Sequence, residues 1–386
     1  MNKTRYAFYL SLSLLLCCKK PYNPPASSSP NSYLVVEGII NSGNDSTVIK
    51  ISKTVVLTSQ TANNPLVGAT VTVEGELNGI YTLTDINNNG HYNSRTGLNL
   101  SSTQRYRLRI KTNNQEYLSD YEAVKITPPI DSVGFAVQSN GIQLYLNTHD
   151  PGNNTRYYRW EYEQTWQFHS FYQSFYYSDG KEMRYRTPAQ QDYYCFGNDT
   201  SGAVLLGSSA KLASDVIYQS PLTQIFSNSE KVQTKYSILV KQYALTAGAY
   251  QFWEILKSNS EQLGSIFSPQ PSELNGNIHC ITNPSEPVIG YISIGTVQQK
   301  RIFITNAQLP QTWRPDRPTD CYLDTLLYDD RGQNDVLLFL IPPGSTYRAT
   351  VPVPGSGGAI AGFFGAPEQC TDCTLTGTTT KPPFWR

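Results

Sequence analysis

The sequence has very few of the residue patterns that support enzyme chemistry. It contains only four histidines, His91, His149, His169 and His279, and none stands in a zinc-binding spacing such as H-E-x-x-H. No G-x-S-x-G nucleophile turn and no phosphate-binding glycine loop occurs. Glu161 and Glu163 could in principle act as a carboxylate pair, but their spacing along a strand favours a solvated face. We therefore expect no catalytic residues and no cofactor.

Charged residues are also scarce. They make up 16% of the chain, and 30 basic residues balance 30 acidic ones without any basic run or patch. This distribution argues against a nucleic-acid partner. Tyrosine, in contrast, occurs 27 times. Because aromatic and β-branched residues favour pleated surfaces, the composition indicates a mainly β protein from outside the cytosol.

Only one long apolar run is present, and it lies at the N-terminus. Lys3 and Arg5 precede the run 6–16, which is shorter than the ~20 residues that span a bilayer and so indicates a secretory signal. Three leucines then lead directly into Cys17 and Cys18. This arrangement resembles the lipobox of bacterial lipoproteins, in which the cysteine carries lipid and anchors the mature chain.

The N-terminal segments are assigned from this resemblance. Residues 1–18 are predicted to be a lipoprotein signal peptide that ends at the lipidated Cys18, with Cys17 as the alternative. Residues 19–32, rich in Pro and Ser, are predicted to be a flexible tether. A plain secretory signal with incidental cysteines is the other interpretation.

Five further cysteines predict disulfides. An oxidising compartment favours pairing, and an odd number leaves one thiol over. The C-x-x-C spacing of Cys370 and Cys373 has no second pair for zinc and no βαβ context for redox chemistry. The disulfide candidates, without an assigned connectivity, are Cys195, Cys280, Cys321, Cys370 and Cys373.

Residues 33–127 show short alternating segments separated by turns, which predict an immunoglobulin-like β-sandwich. Within it, Asp85, Asn87 and Asn89 resemble the start of a calcium loop. The twelfth position of that loop is Thr96 rather than the required Glu, so we favour a turn and keep calcium as the weak alternative. The surrounding G-A-T-V-T-V…L-T-D…N-G-H-Y pattern is similar to carboxypeptidase-regulatory-like, transthyretin-like sandwiches.

Residues 128–305 are predicted to form a larger β-rich central domain. The segment 157–168 alternates aromatic with charged side chains, which predicts one buried and one wet face. The period changes to helical over 247–263, where Tyr250, Trp253 and Leu256 or Lys257 share a face. Residues 306–386 are predicted to be a Pro/Gly-rich, Cys-stapled segment packed on this domain.

An aromatic insertion in the central domain is the candidate binding surface, because exposed aromatic clusters often mark partner or ligand sites. Packing against the rest of the domain is the alternative. Its candidate residues are Trp166, Phe168, Phe171, Tyr172, Phe175, Tyr176, Tyr177 and Tyr185.

Several motifs in order resemble one family. They are Y-L-V-V-E-G-I-I, T-P-P-I-D-S-V, Y-Y-R-W-E-Y-E-Q-T-W, K-Y-S-I-L-V-K-Q-Y-A-L, E-P-V-I-G-Y-I-S and C-T-D-C-T. Together they resemble the Bacteroidota outer-membrane lipoproteins catalogued as domain-of-unknown-function family 4249.

That resemblance implies a lipid-anchored outer-membrane protein, exposed at the cell surface, with a TonB-dependent receptor as its partner. We therefore expect a non-catalytic accessory protein for solute capture or uptake. A surface adhesin or envelope scaffold is the alternative, and a glycan- or peptide-degrading surface enzyme is a weaker one.

Overall fold

The computed structural model describes residues 32–55, 64–261, 274–316, 319–329 and 333–386. Over these ranges the chain is mainly β with one longer helix, which confirms the predicted fold class. In the same ranges, no helix combines the length and the apolar character that a membrane span needs.

The strands and helices of these ranges are numbered in chain order. The strands are β1 (Leu34–Asn41), β2 (Ser46–Lys53), β3 (Thr70–Gly75), β4 (Ile80–Leu83), β5 (His91–Gly97), β6 (Arg105–Lys111), β7 (Glu116–Ser119), β8 (Glu122–Ala123), β9 (Ile130–Gln138), β10 (Gly141–Asp150), β11 (Tyr157–His169), β12 (Tyr176–Ser178), β13 (Met183–Tyr185), β14 (Tyr194–Thr200), β15 (Leu205–Ser208), β16 (Asp215–Phe226), β17 (Lys235–Ala244), β18 (Ile278–Cys280), β19 (Val288–Ile289), β20 (Ser293–Gly295), β21 (Val297–Thr305), β22 (Asp324–Leu327), β23 (Tyr347–Pro354) and β24 (Ile360–Pro367). The α-helices are α1 (Ala247–Glu261) and α2 (Glu368–Thr371), and a π-helical turn spans Val336–Leu340.

The first body consists of two sheets around one core. One sheet has the order β19-β1-β2-β5 with β20 also on β1, and the other has the order β18-β7-β6-β3-β4 with β8 also on β6. In β6, Tyr106, Leu108 and Ile110 are buried while the residues between them are not, as a period of two requires. Alternation of this kind gives each sheet one apolar face, and the two faces form a sandwich-like body.

Three strands of this first body come from far along the chain. The central domain predicted from the sequence, 128–305, includes residues 278–295. In the structure, β19 and β20 pair with β1, and β18 pairs with β7. Val288, Ile292 and Ile294 are buried in the first core. Strand pairing at a sheet edge is non-local, so the alternation of a short strand does not reveal its partner.

The second body also encloses a core between two sheets. Their orders are β16-β10-β9 and β14-β11-β17-β21, with β15 also on β11. In β11, Tyr158 and Trp160 are fully buried. Arg159, Glu161 and Glu163 alternate with them and remain partly exposed, which confirms the predicted two-faced strand.

Helix α1 lies between these two bodies and begins at the predicted residue, Ala247; the last two positions of the predicted range, 262 and 263, lie outside the described residues. It buries Ala249 and Phe252, while Tyr250 and Trp253 are half-buried. The ring of Tyr250 lies 4.9 Å from that of Tyr157, and the ring of Phe252 lies 5.7 Å from that of Tyr291. Aromatic packing therefore positions the helix against both bodies.

The C-terminal segment forms a third, smaller sheet with the order β22-β24-β23. It shares a small core with the hairpin of β12 and β13 and with the π-helical turn. Near the end of the chain, Trp385 is buried and its ring lies 5.1 Å from Phe196 and 5.6 Å from Phe303. The chain end thus packs onto the second body.

Candidate ligand-binding cleft

The predicted anchor lies outside the described residues. This applies to the signal 1–18, to Cys17 and Cys18, and to the tether 19–32 apart from its last residue. The assignment of Cys18 as the lipidated residue stays a prediction.

The calcium-like segment is a turn between β4 and β5. The carboxylate of Asp85 accepts hydrogen bonds from the backbone N–H groups of Asn89 at 3.1 Å and Gly90 at 2.8 Å. The side-chain oxygen of Asn89 accepts one from the N–H of His91 at 3.1 Å, and Asn87 lies within the turn. In the described ranges, no three His, Cys, Asp or Glu side chains are grouped to hold a metal ion. The side-chain oxygens of Asp85 and Asn89 therefore hold the backbone of the turn by accepting its N–H hydrogen bonds.

Two residues of the predicted aromatic surface are in the core. Trp166 and Phe168 lie on the inner face of β11, with 8% and 4% of their surface exposed. The indole N–H of Trp166 donates to Glu230 at 3.0 Å. Their prediction as surface residues is wrong, because the alternation of β11 continues to its end and directs both rings inward.

Among the remaining aromatic candidates, Tyr172 and Tyr176 pack on the C-terminal sheet. The ring of Tyr176 lies 4.9 Å from that of Phe363. Phe171 and Tyr185 are exposed, at 43% and 63%. The half-buried members of the set are Tyr172, Phe175, Tyr176 and Tyr177. The segment therefore serves mainly as a packing element rather than an open aromatic face.

Four of the five cysteines in the described ranges form two disulfides. Cys195 pairs with Cys373 and Cys321 pairs with Cys370, so the two cysteines of the C-x-x-C motif have different partners. Cys280 is buried and free. The predicted disulfide chemistry is confirmed, and the structure supplies the connectivity.

A cleft of about 730 Å³ lies between the first and second bodies. Its walls are the outer face of β1 and β2 on one side and β11, β17 and α1 on the other. A volume of this size is within the range of small-ligand sites, which occur preferentially between domains. None of the residues predicted as a binding surface lines it.

Arg159 is the central polar group of the cleft. Its guanidinium carbon lies 3.9 Å from the ring centroid of Trp253 and 5.4 Å from that of Tyr243, and 15% of its side chain is exposed. One N–H group donates to Glu161. The other N–H donors have no acceptor among the described residues, and none of these nitrogens is sealed from solvent. Arg159 therefore presents open donors in a fixed orientation.

Glu161 is held beside Arg159 by a second bond. The hydroxyl of Tyr243 donates to its other oxygen at 2.8 Å. Burial, followed by the nearby Glu161 carboxylate, raises the pKa of Tyr243 above its usual range, so that the hydroxyl remains a neutral donor. Two residues further along β11, Glu163 accepts a hydrogen bond from Lys241 at 2.5 Å.

The charges that line the cleft cancel. Glu37, Asp45 and Glu161 are balanced by three basic groups, and Glu37 lies directly opposite Lys50 in the register of β1 and β2. The basic groups are Lys50, Arg159 and Lys241. A cleft with no net charge does not select ligands by overall charge.

Sequence reasoning missed this site because its residues are far apart in the chain. Arg159 was read only as part of a wet strand face, and Trp253 only as part of a helix face. The one available signal was an arginine among aromatic residues in β11, which by itself points to packing as readily as to binding.

The fold and the cleft define a mainly β protein whose packed sheets enclose a site large enough for a ligand. The chain belongs to the family described as "Domain of unknown function (DUF4249)", whose model matches residues 19–301. This confirms the family predicted from the motifs. No curated protein matches the chain.

One similar solved structure is described as a "putative carbohydrate binding protein" from Bacteroides uniformis. It is 12% identical, and the match covers 56% of this chain and 91% of that chain with a TM-score of 0.13. A likeness at this level carries no argument about the function of the cleft.

Proposed function

We propose that the protein is a non-catalytic, lipid-anchored accessory protein of the outer membrane that captures a solute in the cleft between its first two bodies. The observation that carries the proposal is Arg159, which is oriented by two aromatic rings and one carboxylate while its remaining donors face open space. A guanidinium that is fixed in a cleft and keeps unused donors is better suited to a ligand than to the fold alone.

The cleft is tested by blocking it. Val48 lies on β2, lines the cleft and is 41% exposed, so that Val48→Trp fills the site without entering the core. Val137→Trp on β9 is the matched control, because Val137 is also an exposed strand valine, at 50%, but lies outside the cleft. Native mass spectrometry of gently purified protein should detect a bound small molecule on the wild type and on V137W but not on V48W. Unliganded wild type, or a ligand retained by V48W, contradicts the proposal.

The anchor is supported by the apolar run 6–16 that leads into the cysteine pair. Metabolic labelling with an alkyne fatty acid should mark the wild type and Cys17→Ser, whereas Cys18→Ser should lose the label and leave the membrane fraction. If only C17S loses the label, Cys17 rather than Cys18 is the lipidated residue. A label on neither the wild type nor C17S contradicts lipidation.

The partnership with a TonB-dependent receptor is tested by purifying the tagged protein from outer membranes in mild detergent. Mass spectrometry should find a TonB-dependent barrel in near-equal amount. Recovery of the protein without any barrel contradicts the uptake role.

An adhesin or scaffold is the second candidate, and one observation favours it. Leu337, Leu338 and Phe339 follow each other on the π-helical turn, and all three are more than two-fifths exposed. Consecutive exposed apolar side chains are typical of protein contacts. Absence of a barrel in the purification would favour this candidate.

A further inference from the structure

We propose that the cleft binds an extended, uncharged peptide segment with aliphatic side chains. This inference rests on the proposed function, since it assigns a ligand class to the same cleft. It is carried by three features of the lining: aliphatic walls, rings that are already covered, and adjacent hydrogen-bond donors and acceptors.

The walls on both sides are aliphatic. β1 and β2 contribute Val35, Ile39 and Val48, which alternate with the core residues of these strands and therefore face away from the first core. The opposite side contributes Val204, Leu256 and Val297. An extended peptide places successive side chains on opposite sides, so it can contact both walls.

The aromatic rings of the cleft are already in use. Arg159 stacks on Trp253, and Tyr243 and Phe252 are buried to more than nine-tenths. The ring of Tyr291 lies 5.7 Å from that of Phe252. A sugar ring stacks on an open aromatic face, whereas these rings are engaged by the protein itself. The lining therefore favours a peptide over a glycan.

The polar groups match a peptide bond. Arg159 has open N–H donors for a carbonyl oxygen, and beside it Glu161 is 39% exposed and can accept from an amide N–H. Gly202 also lines the cleft, and a Cβ added there would meet no atom within 4 Å, so a ligand can approach its backbone. Because the lining charges cancel, an uncharged segment fits without leaving a buried charge unpaired.

The test uses the full-length protein in detergent and isothermal titration calorimetry with three probes. The first is an acetylated and amidated tetrapeptide of alternating valine and alanine. The second is the same peptide with serine in place of valine, and the third is cellotetraose, a neutral glycan. Each probe is titrated against the wild type, Arg159→Gln and Arg301→Gln.

Arg301→Gln is the matched control. Arg301 lies on β21 of the same sheet, stacks on Phe384 at 3.6 Å and donates to Ser237 at 3.1 Å, but does not line the cleft. We expect the valine peptide to bind the wild type and R301Q equally, and R159Q about tenfold or more weakly, because a charge-assisted hydrogen bond is lost. The serine peptide should bind more weakly than the valine peptide to all three proteins.

The outcomes separate this inference from the proposed function. Equal binding of the valine peptide to R159Q and R301Q overturns the inference, since binding then occurs elsewhere. Arg159-dependent binding of cellotetraose without peptide binding overturns it too, but supports the cleft as a solute site. If no probe binds while a natural molecule is retained by the wild type and lost from V48W, only the peptide class is wrong. If nothing is retained, both proposals fail.

Discussion

Aspartates that begin turns use their oxygens on the backbone. Asp150 resembles Asp85 in this respect, since its carboxylate accepts hydrogen bonds from the N–H groups of Gly152, Asn154 and Thr155. Burial opposes ionisation of Asp150, yet the backbone bonds together lower its pKa. At the scale of the residue, the oxygens of such a loop therefore indicate a hydrogen-bonded turn rather than a metal site.

The turn at Asp85 can be tested by removing its acceptors. Asp85→Ala should lower the free energy of unfolding by about 1 kcal/mol, because two backbone N–H groups lose their partner. Asp85→Asn should lose less, since one oxygen remains. Urea denaturation measures both variants. Calcium should leave the denaturation midpoint of the wild type unchanged, and an increase that D85N abolishes would restore the calcium interpretation.

A second residue-scale prediction concerns pH. The bond between His149 Nδ1 and Asp131 Oδ2, 2.8 Å long, raises the pKa of His149 above its ordinary value. A raised folded-state pKa means that the ion pair stabilises the fold fully below the ordinary histidine pKa and is lost as pH rises through the folded value. In an NMR titration, Asp131→Asn should lower the His149 pKa toward its ordinary value. An unchanged pKa would show that Asp131 is not the cause.

Strand β15 shows how an element adapts to a large neighbour. Gly207 lies opposite Tyr158 in the register with β11, and a Cβ added to it would lie 2.2 Å from the indole of Trp160. Trp160 cannot move freely, because it is buried and its N–H donates to Gln242 at 2.8 Å. At the scale of the element, the absence of a side chain at 207 allows the aromatic face of β11 to pack.

Gly207→Ala should therefore destabilise the fold by about 1–3 kcal/mol, the range for overpacking. Gly202→Ala in the preceding loop is the matched control, since a Cβ there meets no atom within 4 Å. Thermal unfolding followed by tryptophan fluorescence compares the two. Similar melting temperatures for G207A and G202A would mean that Trp160 has room to adjust.

At the scale of the whole molecule, disulfides attach the C-terminal segment to the rest of the chain. Cys195 on β14 belongs to the second body, and its bond to Cys373 closes a separation of 178 residues. The bond between Cys321 and Cys370 closes 49. Cys321 and Cys370 lie in a small buried cluster, whereas Cys195 and Cys373 lie in the core of the second body, so the two bonds stabilise a segment with a small apolar core and attach it to a larger one.

Removing the long-range disulfide should cost more than removing the short-range one. The Cys195→Ala/Cys373→Ala variant should lose about 2–5 kcal/mol of unfolding free energy, roughly 1 kcal/mol more than Cys321→Ala/Cys370→Ala, because the unfolded chain regains a longer loop. Urea denaturation measures both. In the folded wild type, thiol alkylation should find Cys280 protected and should label none of the four cysteines in the two disulfides. A larger loss for the shorter loop would contradict the loop argument.

Local pattern predicts several elements of this chain. The alternation in β11 predicts a strand with one buried face, and the change to a helical period predicts the start of α1 and its helical character through Glu261. Each of these signals is complete within a dozen residues, because the period of the backbone sets which side chains share a face. The composition likewise predicts disulfides and a mainly β fold.

Long-range packing decides the rest. The partners of β18 to β20, the pairing of Cys195 with Cys373 and the cleft around Arg159 and Trp253 all join segments that are distant in the chain. No local pattern contains this information, since strand pairing and side-chain stacking depend on which faces meet when the cores form. The aromatic segment after β11 was therefore read as a surface, although tertiary contacts bury much of it, and the cleft formed where the sequence showed only an ordinary wet face.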